Sequence, residues 1–522
     1  MSMSIEQLLN AKFQIRLMDN EMMIEQILEQ SVDLQKRKFV FYDTADLSGL
    51  CIYTDGLVDI PQVELILKSL IVYGSQLEGT DQIHDIGNMI REQLLFNASL
   101  RLVTKVEDGI DGILSGDSLI LLDQCSDGIL VSTRGWDARS IEEPATEGGI
   151  RGPRDGFTES IRTNTSQVRR RIRDPLLRIE AMKIGKKSKT DVNVAYLKGT
   201  VKEGLVDEVK SRLEGLAIDA ILESGYIEEL IKDSPLSPFK TIQSTERPDK
   251  VASAILEGRV AIFIDNTPFV LIVPVSFWQY LQAADDYYLN YWNASFFRLL
   301  RFFALFISFT LPSVYVMLVS FHQEMIPTDL ALSIASGREV VPFPVLLEML
   351  LLEFVFELIR EAGLRMPKAI GQAVSIVGTL VIGQAAVQAG LVSPFMVIIV
   401  AITGISSFVI PNYEASITIR LLRFPLLIVS GFLGLLGFSA GFLLLLIHLL
   451  SIRSFGEPFI GPIIPFHPSE LKDFVIRFPW WSMKKRPGFA QGDRDRISEG
   501  QMPQPPTTKQ QSGQENRSNR KP

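Results

Sequence analysis

The sequence predicts a cytoplasmic α/β N-terminal region of two subdomains, followed by an α-helical polytopic membrane domain and a disordered tail. Three observations predict it. Up to about residue 290 the apolar residues are patterned and broken by charge, and beyond that they gather into long runs. Strand-like runs alternate with helical stretches in the first part, as α/β layering requires. Finally, one part of that region resembles another.

The first residues, 1–37, carry an amphipathic helical pattern and lack the basic start and short apolar core of a secretory signal, so the α/β region is expected to stay in the cytoplasm. A first subdomain over 38–145 holds KFVFYD, GLCIYT, SLILLDQ and GILVST beside the helical PQVELILKSLIVYG. A second over 181–290 holds VNVAYL, VAIFID and FVLIVPV beside GLVDEVKSRLEGLAI and RPDKVASAILEG. Residues 113–133 (ILSGDSLILLDQCSDGILVST) lie over 255–275 (ILEGRVAIFIDNTPFVLIVPV) with Ile, Leu, Gly, Ile, Asp and Val in register. A GLVD precedes each, 57 residues before Ile113 and 51 before Ile255. Two related subdomains are one reading; the other is that helix–strand–turn–strand units converge on Gly and Asp at their turns.

Between them, residues 146–180 form an arginine-rich connector. Arg151 to Arg178 holds eight arginines against three acids, although the 522-residue chain has a net charge of −8. The acidic balance excludes a general nucleic-acid binder. Gly152–Pro153 and Pro175 bracket a polar helix carrying Arg162, Arg169, Arg170, Arg171 and Arg173. Three roles compete for these cations: contact between copies of the chain, binding of anionic lipid headgroups, and an internal ion-pair network fixing the two subdomains. The two cysteines, Cys51 and Cys125, sit in strand-like runs and exclude a disulfide framework.

The membrane domain is placed at 291–455, with spans near 302–321, 369–390, 394–411 and 424–450, the last long enough to be tilted, kinked at Pro425, or partly outside the bilayer. Arg298 and Arg301 stand at its entry, and Arg365 with Lys368, then Arg420 with Arg423, mark turns between segments. The entry pair and a basic excess beyond Lys484 put both ends inside and favour an even number of crossings; four are preferred over five, although four leave Arg365 and Lys368 on the outer side. The apolar stretch 344–362 carries Glu348 and a one-face stripe of Glu353, Glu357 and Glu361. At roughly 2.5–3.5 kcal/mol per charge at the bilayer centre, such a stripe cannot face lipid. It is expected to face water or protein, or to lie in the interface.

The span 369–390 is rich in small and polar residues. Gln372, Ser375, Thr379 and Gly383 share one face, and Val377, Val381, Gln384 and Gln388 the opposite one. Tight helix packing is one reading, and a pore wall formed by either face is the other. Residues 456–487 form a membrane-proximal segment, and 488–522 are polar and expected to be disordered.

Catalytic signatures are missing. IGKKSKT near Gly185 lacks the earlier glycine of a phosphate loop, and DGIDGILSGD lacks the strand–glycine–helix order of a dinucleotide site. The four histidines are scattered, and no cofactor or enzymatic activity is expected. Asp285–Asp286 reads as a solvated turn before the membrane, with a cation site as the alternative.

The segment Arg151, Gly152, Pro153, Arg154, Asp155, Gly156 and Phe157, followed by RRRIRDP, a strand pair in IEAMKIGKKSKTDVNVAYLKG and a late membrane half, resembles the A subunits of GerA-type spore germination receptors. The likeness runs from about Phe39 to Pro468. It implies a nutrient-sensing complex in the spore inner membrane with a permease-like B subunit, which holds the nutrient site, and a lipoprotein C subunit. The A subunit is then expected to oligomerise into a channel that releases monovalent cations. A non-conducting scaffold that assembles the complex is the alternative.

Overall fold

The computed structural model describes residues 4–29, 31–40, 48–73, 99–136, 143–144, 147–366, 383–466, 468, 470–486, 488, 490, 492, 495–498 and 501–503. The soluble region opens with helices α1 (Ile5–Leu9) and α2 (Leu17–Leu28). Strands β1 (Leu34–Val40) and β2 (Ser48–Thr54) follow, then α3 (Ile60–Tyr73), β3 (Leu100–Val103), α4 (Val106–Leu114), β4 (Asp117–Leu122) and β5 (Gly128–Ser132). The series then repeats as α5 (Ile161–Arg171), β6 (Leu177–Ile184), β7 (Thr190–Leu197), α6 (Leu205–Glu214), α7 (Ser224–Ile231), β8 (Gln243–Thr245), α8 (Pro248–Leu256), β9 (Val260–Ile264) and β10 (Val270–Val273).

The two sheets have one topology. Their strand orders, β1-β2-β4-β5-β3 and β6-β7-β9-β10-β8, are the same when read by position, and every pairing is antiparallel. Strand alternation sends residues to two cores on each sheet. Cys51, Tyr53, Ile120 and Leu122 pack under α3, while Leu50, Ile52, Leu119 and Leu121 pack under α2 and α4. In the second unit Val192, Val194, Ile262 and Ile264 meet α6 and α7, and Ala195, Ala261 and Phe263 meet α5 and α8.

The repeat extends to details that a convergent fold would not copy. Buried Asn20 accepts from Gln14 N at 2.6 Å and donates to Gln14 O at 2.7 Å; buried Asn164 does the same with Thr158, at 2.7 and 2.6 Å. Asp123 and Asp265, the aspartates matched in the sequence, cap Leu17 N and Ile161 N of the corresponding helices. The next residues, Gln124 and Asn266, both take a left-handed φ, at 65° and 68°. The expected kinship of the two subdomains is thus present in topology, capping and backbone conformation.

The helical part comprises α9 (Asp285–Tyr288), α10 (Tyr291–Phe321), α11 (Thr328–Arg338), α12 (Val345–Arg365), α13 (Gly383–Gln388), α14 (Pro394–Phe408) and α15 (Tyr413–Ser451). Among the described residues, α10 and α15 are long and apolar enough to cross a bilayer. α15 is not one rod. At Gly434 (φ 61°, ψ −138°) the chain turns back, so that Leu426 lies against Gly441 and the Gly437 backbone against Val429. The Cβ of any other residue at 434 would press on Phe321 and His322 in a conformation that L side chains resist. The expectation of one span over 424–450, tilted, kinked at Pro425 or partly outside the bilayer, is corrected: the break lies at Gly434 and makes a helical hairpin.

Arg420 and Arg423, expected at a turn between spans, lie inside the first arm of that hairpin and are buried. The second arm returns the chain to the soluble region, where Ser454 Oγ accepts from Val275 N at 3.0 Å and donates to Thr241 O at 2.6 Å.

Replacing Asn20 or Asn164 by alanine strands the same backbone groups in each unit. Each change is expected to cost about 1–3 kcal/mol, alike in size and additive when combined, in denaturant melts of the full chain in detergent.

Candidate functional site

Two constellations of paired charge stand out: an arginine seam in the soluble region and a charged core in the helical bundle. The seam is built around α5, which begins at the Ser160 cap and turns its polar face into the first subdomain. Arg169 is 1% exposed. Its Nε donates to Asp33 Oδ2 at 2.7 Å, and its Nη2 to Asp33 Oδ1 at 3.0 Å and Ser31 Oγ at 3.1 Å, while Nη1 reaches Leu177 O. Asp33 belongs to the first subdomain and Leu177 to the second, so one guanidinium joins both.

Arg178 repeats the pattern from β6, donating to Glu29 and to Ile27 O at 3.1 Å each. Lys198 pairs with Glu29 at 2.5 Å, and Arg162 with Asp55 at 2.5 Å. Arg173 reaches Ser115 at 3.5 Å. Backbone bonds stitch the same line, Val32 N to Ile179 O at 2.9 Å.

The rest of the motif extends this seam toward the helices. Asp155 accepts from Arg170 at 3.3 Å and Arg171 at 2.5 Å, and Arg170 lies 5.5 Å from the centre of the Trp136 ring. Phe157 is buried edge-on to Phe263, the Gly156 carbonyl accepts from Gln167, and the Pro175 carbonyl from Arg178. Gly152, at φ 127°, lies where any Cβ would strike the Tyr288 ring, and the Pro153 carbonyl accepts from Arg247. Asp285 accepts from Ile150 N at 3.0 Å. Arg151 and Arg154 are exposed. Of the three roles considered for these cations, Arg169 takes the internal one within this chain.

Asp286 is neither a cation site nor a solvated turn. It is fully buried, accepting from Arg298 at 3.0 Å and Arg301 at 2.7 Å, and Arg298 also binds Asp473 at 2.7 Å. The two basic residues read as topology signals therefore also hold the start of α10, both of them to Asp286 and Arg298 in addition to Asp473 of the C-terminal segment.

In the bundle, the acidic stripe of α12 faces the first arm of α15. Glu353 is buried 2.5 Å from Arg423, and Glu357 is 2.5 Å from Arg420 and 3.5 Å from Arg423. Arg360 donates to Ser407 at 3.2 Å and lies 4.3 Å from the centre of the Phe408 ring. Glu348 accepts from Ser393 N at 2.5 Å, and Glu361 pairs with exposed Arg365. Of the alternatives for the stripe, facing protein is the one seen for Glu353 and Glu357. Their arginine partners lie some 63 to 70 residues away in the chain, so sequence periodicity gave no means of pairing them.

Among the expected pore residues, Gln372, Ser375, Val377, Thr379 and Val381 lie outside the described residues. Gly383, Gln384 and Gln388 are on α13, with both glutamines exposed. Among the described residues no group of His, Cys, Asp and Glu is arranged to hold a metal ion. Burial pushes the Cys51 thiol up to about 12 and Cys125 up to about 11, so both are held as unreactive thiols.

Residues 22–489 match the Bacillus/Clostridium GerA spore germination protein family. The chain belongs to this family. It is 45% identical to spore germination protein KA of Bacillus subtilis, covering 87% of this chain and 83% of that one. It is 39% identical to spore germination protein A1 of the same organism, over 88% and 93%, and 44% identical to the uncharacterized membrane protein YfkQ of B. subtilis, over 91% and 92%. Among solved structures, the N-terminal domain of the A subunit of the Bacillus megaterium spore germinant receptor GerK3 matches with 35% identity and a TM-score of 0.42, covering 51% of this chain and 98% of that one.

Cutting Arg169 to alanine leaves Asp33 buried without its partner and is expected to lower stability by about 3–5 kcal/mol, with much of the loss recovered in an Arg169→Met/Asp33→Leu double variant. Acid acts on the same seam through Glu29. Burial raises that carboxyl, but the hydrogen bonds from Lys198 and Arg178 more than offset it and leave it below its usual 4.5. A lowered value means a contribution that is complete above 4.5 and disappears as pH falls through the folded value. The protection factor of the Val32 amide, its exchange rate divided into the intrinsic rate at each pH, should therefore fall on acidification through that range, and Glu29→Gln should flatten the dependence.

Proposed function

We propose that this chain is the A subunit of a nutrient germinant receptor in the spore inner membrane, acting with a permease-like B subunit and a lipoprotein C subunit. Several copies assemble around an ion path that opens when nutrient binds elsewhere in the receptor, and monovalent cations leave the spore through it. The observation that carries this reading is the helical bundle itself, in which charged groups are kept within the membrane domain and paired. A pure anchor has no use for Glu353, Glu357, Arg420 and Arg423, which cost solvation free energy wherever they are buried and mark working parts of membrane proteins. A cavity of about 430 Å³ lined by Glu357, Arg360, Glu361, Tyr413 and Arg420 adjoins them.

The helix directions support an even number of crossings. Leu346 lies against Gly431 at one end of the bundle and Glu357 against Arg420 toward the other, while α14 runs alongside α12 from Ser393 to Ser407. Among the described residues α12 and α14 run the same way, and the two arms of α15 run opposite ways, so α15 brings the chain back to the end from which α10 starts. Both ends of the domain then lie on the cytoplasmic side, as the basic residues beyond Lys484 favour. Opening requires that nutrient binding stabilise the open arrangement over the closed one by a differential free energy.

Ion flux through liposomes containing the purified oligomer tests the channel reading. Val381→Ala and bulkier replacements at Thr379 are expected to change flux while leaving assembly intact. Well-folded oligomers that repeatedly conduct nothing would favour the scaffold.

A further inference from the structure

Between α12 and the first arm of α15, Arg423 faces Glu353 and Arg420 faces Glu357, each at 2.5 Å, and Arg365 pairs with Glu361 at 2.6 Å. That leaves Arg360. Glu357, one turn before it, is already shared between Arg420 and Arg423. Among the described residues the Arg360 guanidinium makes one hydrogen bond, from Nη1 to Ser407 Oγ at 3.2 Å, and lies 4.3 Å from the centre of the Phe408 ring and 6.0 Å from that of Tyr413. A guanidinium has five N–H donors and a permanent charge, so a hydroxyl and two ring faces leave most of its donors and its whole charge unmatched. Four guanidinium charges stand here against three carboxylates, and the one in excess is Arg360.

Arg360 lines the cavity of about 430 Å³ between these two helices, whose wall residues Leu364, Ile417 and Leu421 are exposed. Tyr413, Ile417, Leu421 and Phe424 recur at helical spacing and form one face of α15 along it. The helices run antiparallel, since Leu346 meets Gly431, Glu353 meets Arg423 and Glu357 meets Arg420. The Arg360–Tyr413 end of the cavity therefore lies where α15 begins. There Glu414 accepts from Ser244 at 3.0 Å and from Lys240 at 2.6 Å, both in the second subdomain. From Tyr413 to Phe424 the helix rises about 16 Å at 1.5 Å per residue, about half of a 30 Å hydrocarbon core. The charge thus sits at the membrane surface next to the soluble region, where amphipathic rings such as Tyr413 are favoured, and the apolar wall descends into one leaflet.

Resting on the membrane reading above, we infer that this cavity holds an anionic phospholipid of the leaflet beside the soluble region, with the Arg360 guanidinium on its phosphate and an acyl chain along Ile417, Leu421 and Phe424. A headgroup of net charge −1 balances the one excess cation, whereas a zwitterionic headgroup brings its own ammonium and does not. A free anion has no use for the apolar wall that continues from the same cation. The lipid touches α12 and α15 together, and so bridges the two helices that carry the charged core.

The test uses the full chain in neutral detergent, titrated with phosphatidylglycerol, with phosphatidylcholine or with inorganic phosphate, and reads the thermal unfolding midpoint. Phosphatidylglycerol is expected to raise the midpoint saturably, at concentrations at least tenfold below those at which phosphatidylcholine acts. Arg360→Gln should abolish that preference and Arg360→Lys should keep part of it. Arg365→Gln, which removes an exposed cation already paired with Glu361, should leave it intact. Ile417→Trp keeps the cation but fills the space along the apolar wall, and should weaken the phosphatidylglycerol response severalfold. Equal responses to the two lipids, a preference retained in Arg360→Gln, or one lost equally in Arg365→Gln would overturn the proposal. A full response to inorganic phosphate alone assigns the site to the free anion and overturns it too. If Arg360→Gln does not fold, an undiminished response in Ile417→Trp is enough to reject the lipid. Failure of the expressed chain to remain with membranes after alkaline extraction is scored separately, because it removes the membrane reading on which the site rests.

Discussion

Arg169 sets the terms for the soluble region. A guanidinium with 1% exposure is tolerable only if its donors are met, and here Asp33 and Ser31 from one subdomain and Leu177 from the other meet them together. Neither subdomain can move away without abandoning a buried charge. The placement of α5, the edge-to-edge approach of Val32 and Ile179, and the path of the connector toward Tyr288 are all arranged around that constraint. The same rule governs the lower half of the molecule, where Asp286 has no solvent exposure and stands between Arg298 and Arg301, and Glu353 faces Arg423.

The internal repeat was legible because both copies keep the same turn chemistry. Gly116 and Gly258, and Asp123 and Asp265, occupy turns whose backbone shape is fixed by φ and by a cap, and such positions tolerate few residue types. Central strands were equally plain, since residues buried on both faces read as continuous apolar runs. Strands β3 and β8 were not recognised, and the reason is physical. They are short edge strands, LRLV and QST, with one neighbour each and little apolar pattern to display.

The arginine segment and the membrane half were legible in kind but not in pairing. Charge density announced that α5 meets negative charge, yet Asp33 lies well over a hundred residues earlier and nothing local connects it to Arg169. Likewise the acidic face of α12 was evident from spacing, while its partners seemed to belong to a turn because two arginines near a proline resemble a helix boundary. Gly434 stood among several glycines in an apolar run, and only its left-handed φ distinguishes it. Of the expected site residues, those on the small-residue face lie mostly outside the described part of the chain, so that face remains part of the functional proposal.

The hairpin of α15 has a mechanical corollary. Because its second arm comes back, the bundle is fastened to the second subdomain at several points among the described residues: at Val275–Asp286 ahead of α10, at Glu414, which accepts from Ser244 and pairs with Lys240 at the start of α15, and at Ser454–Phe459 after the hairpin. A single fastening would transmit only a pull along the helix axis. Several fastenings side by side transmit a couple, so rotation of the soluble region is converted into torsion of the helices.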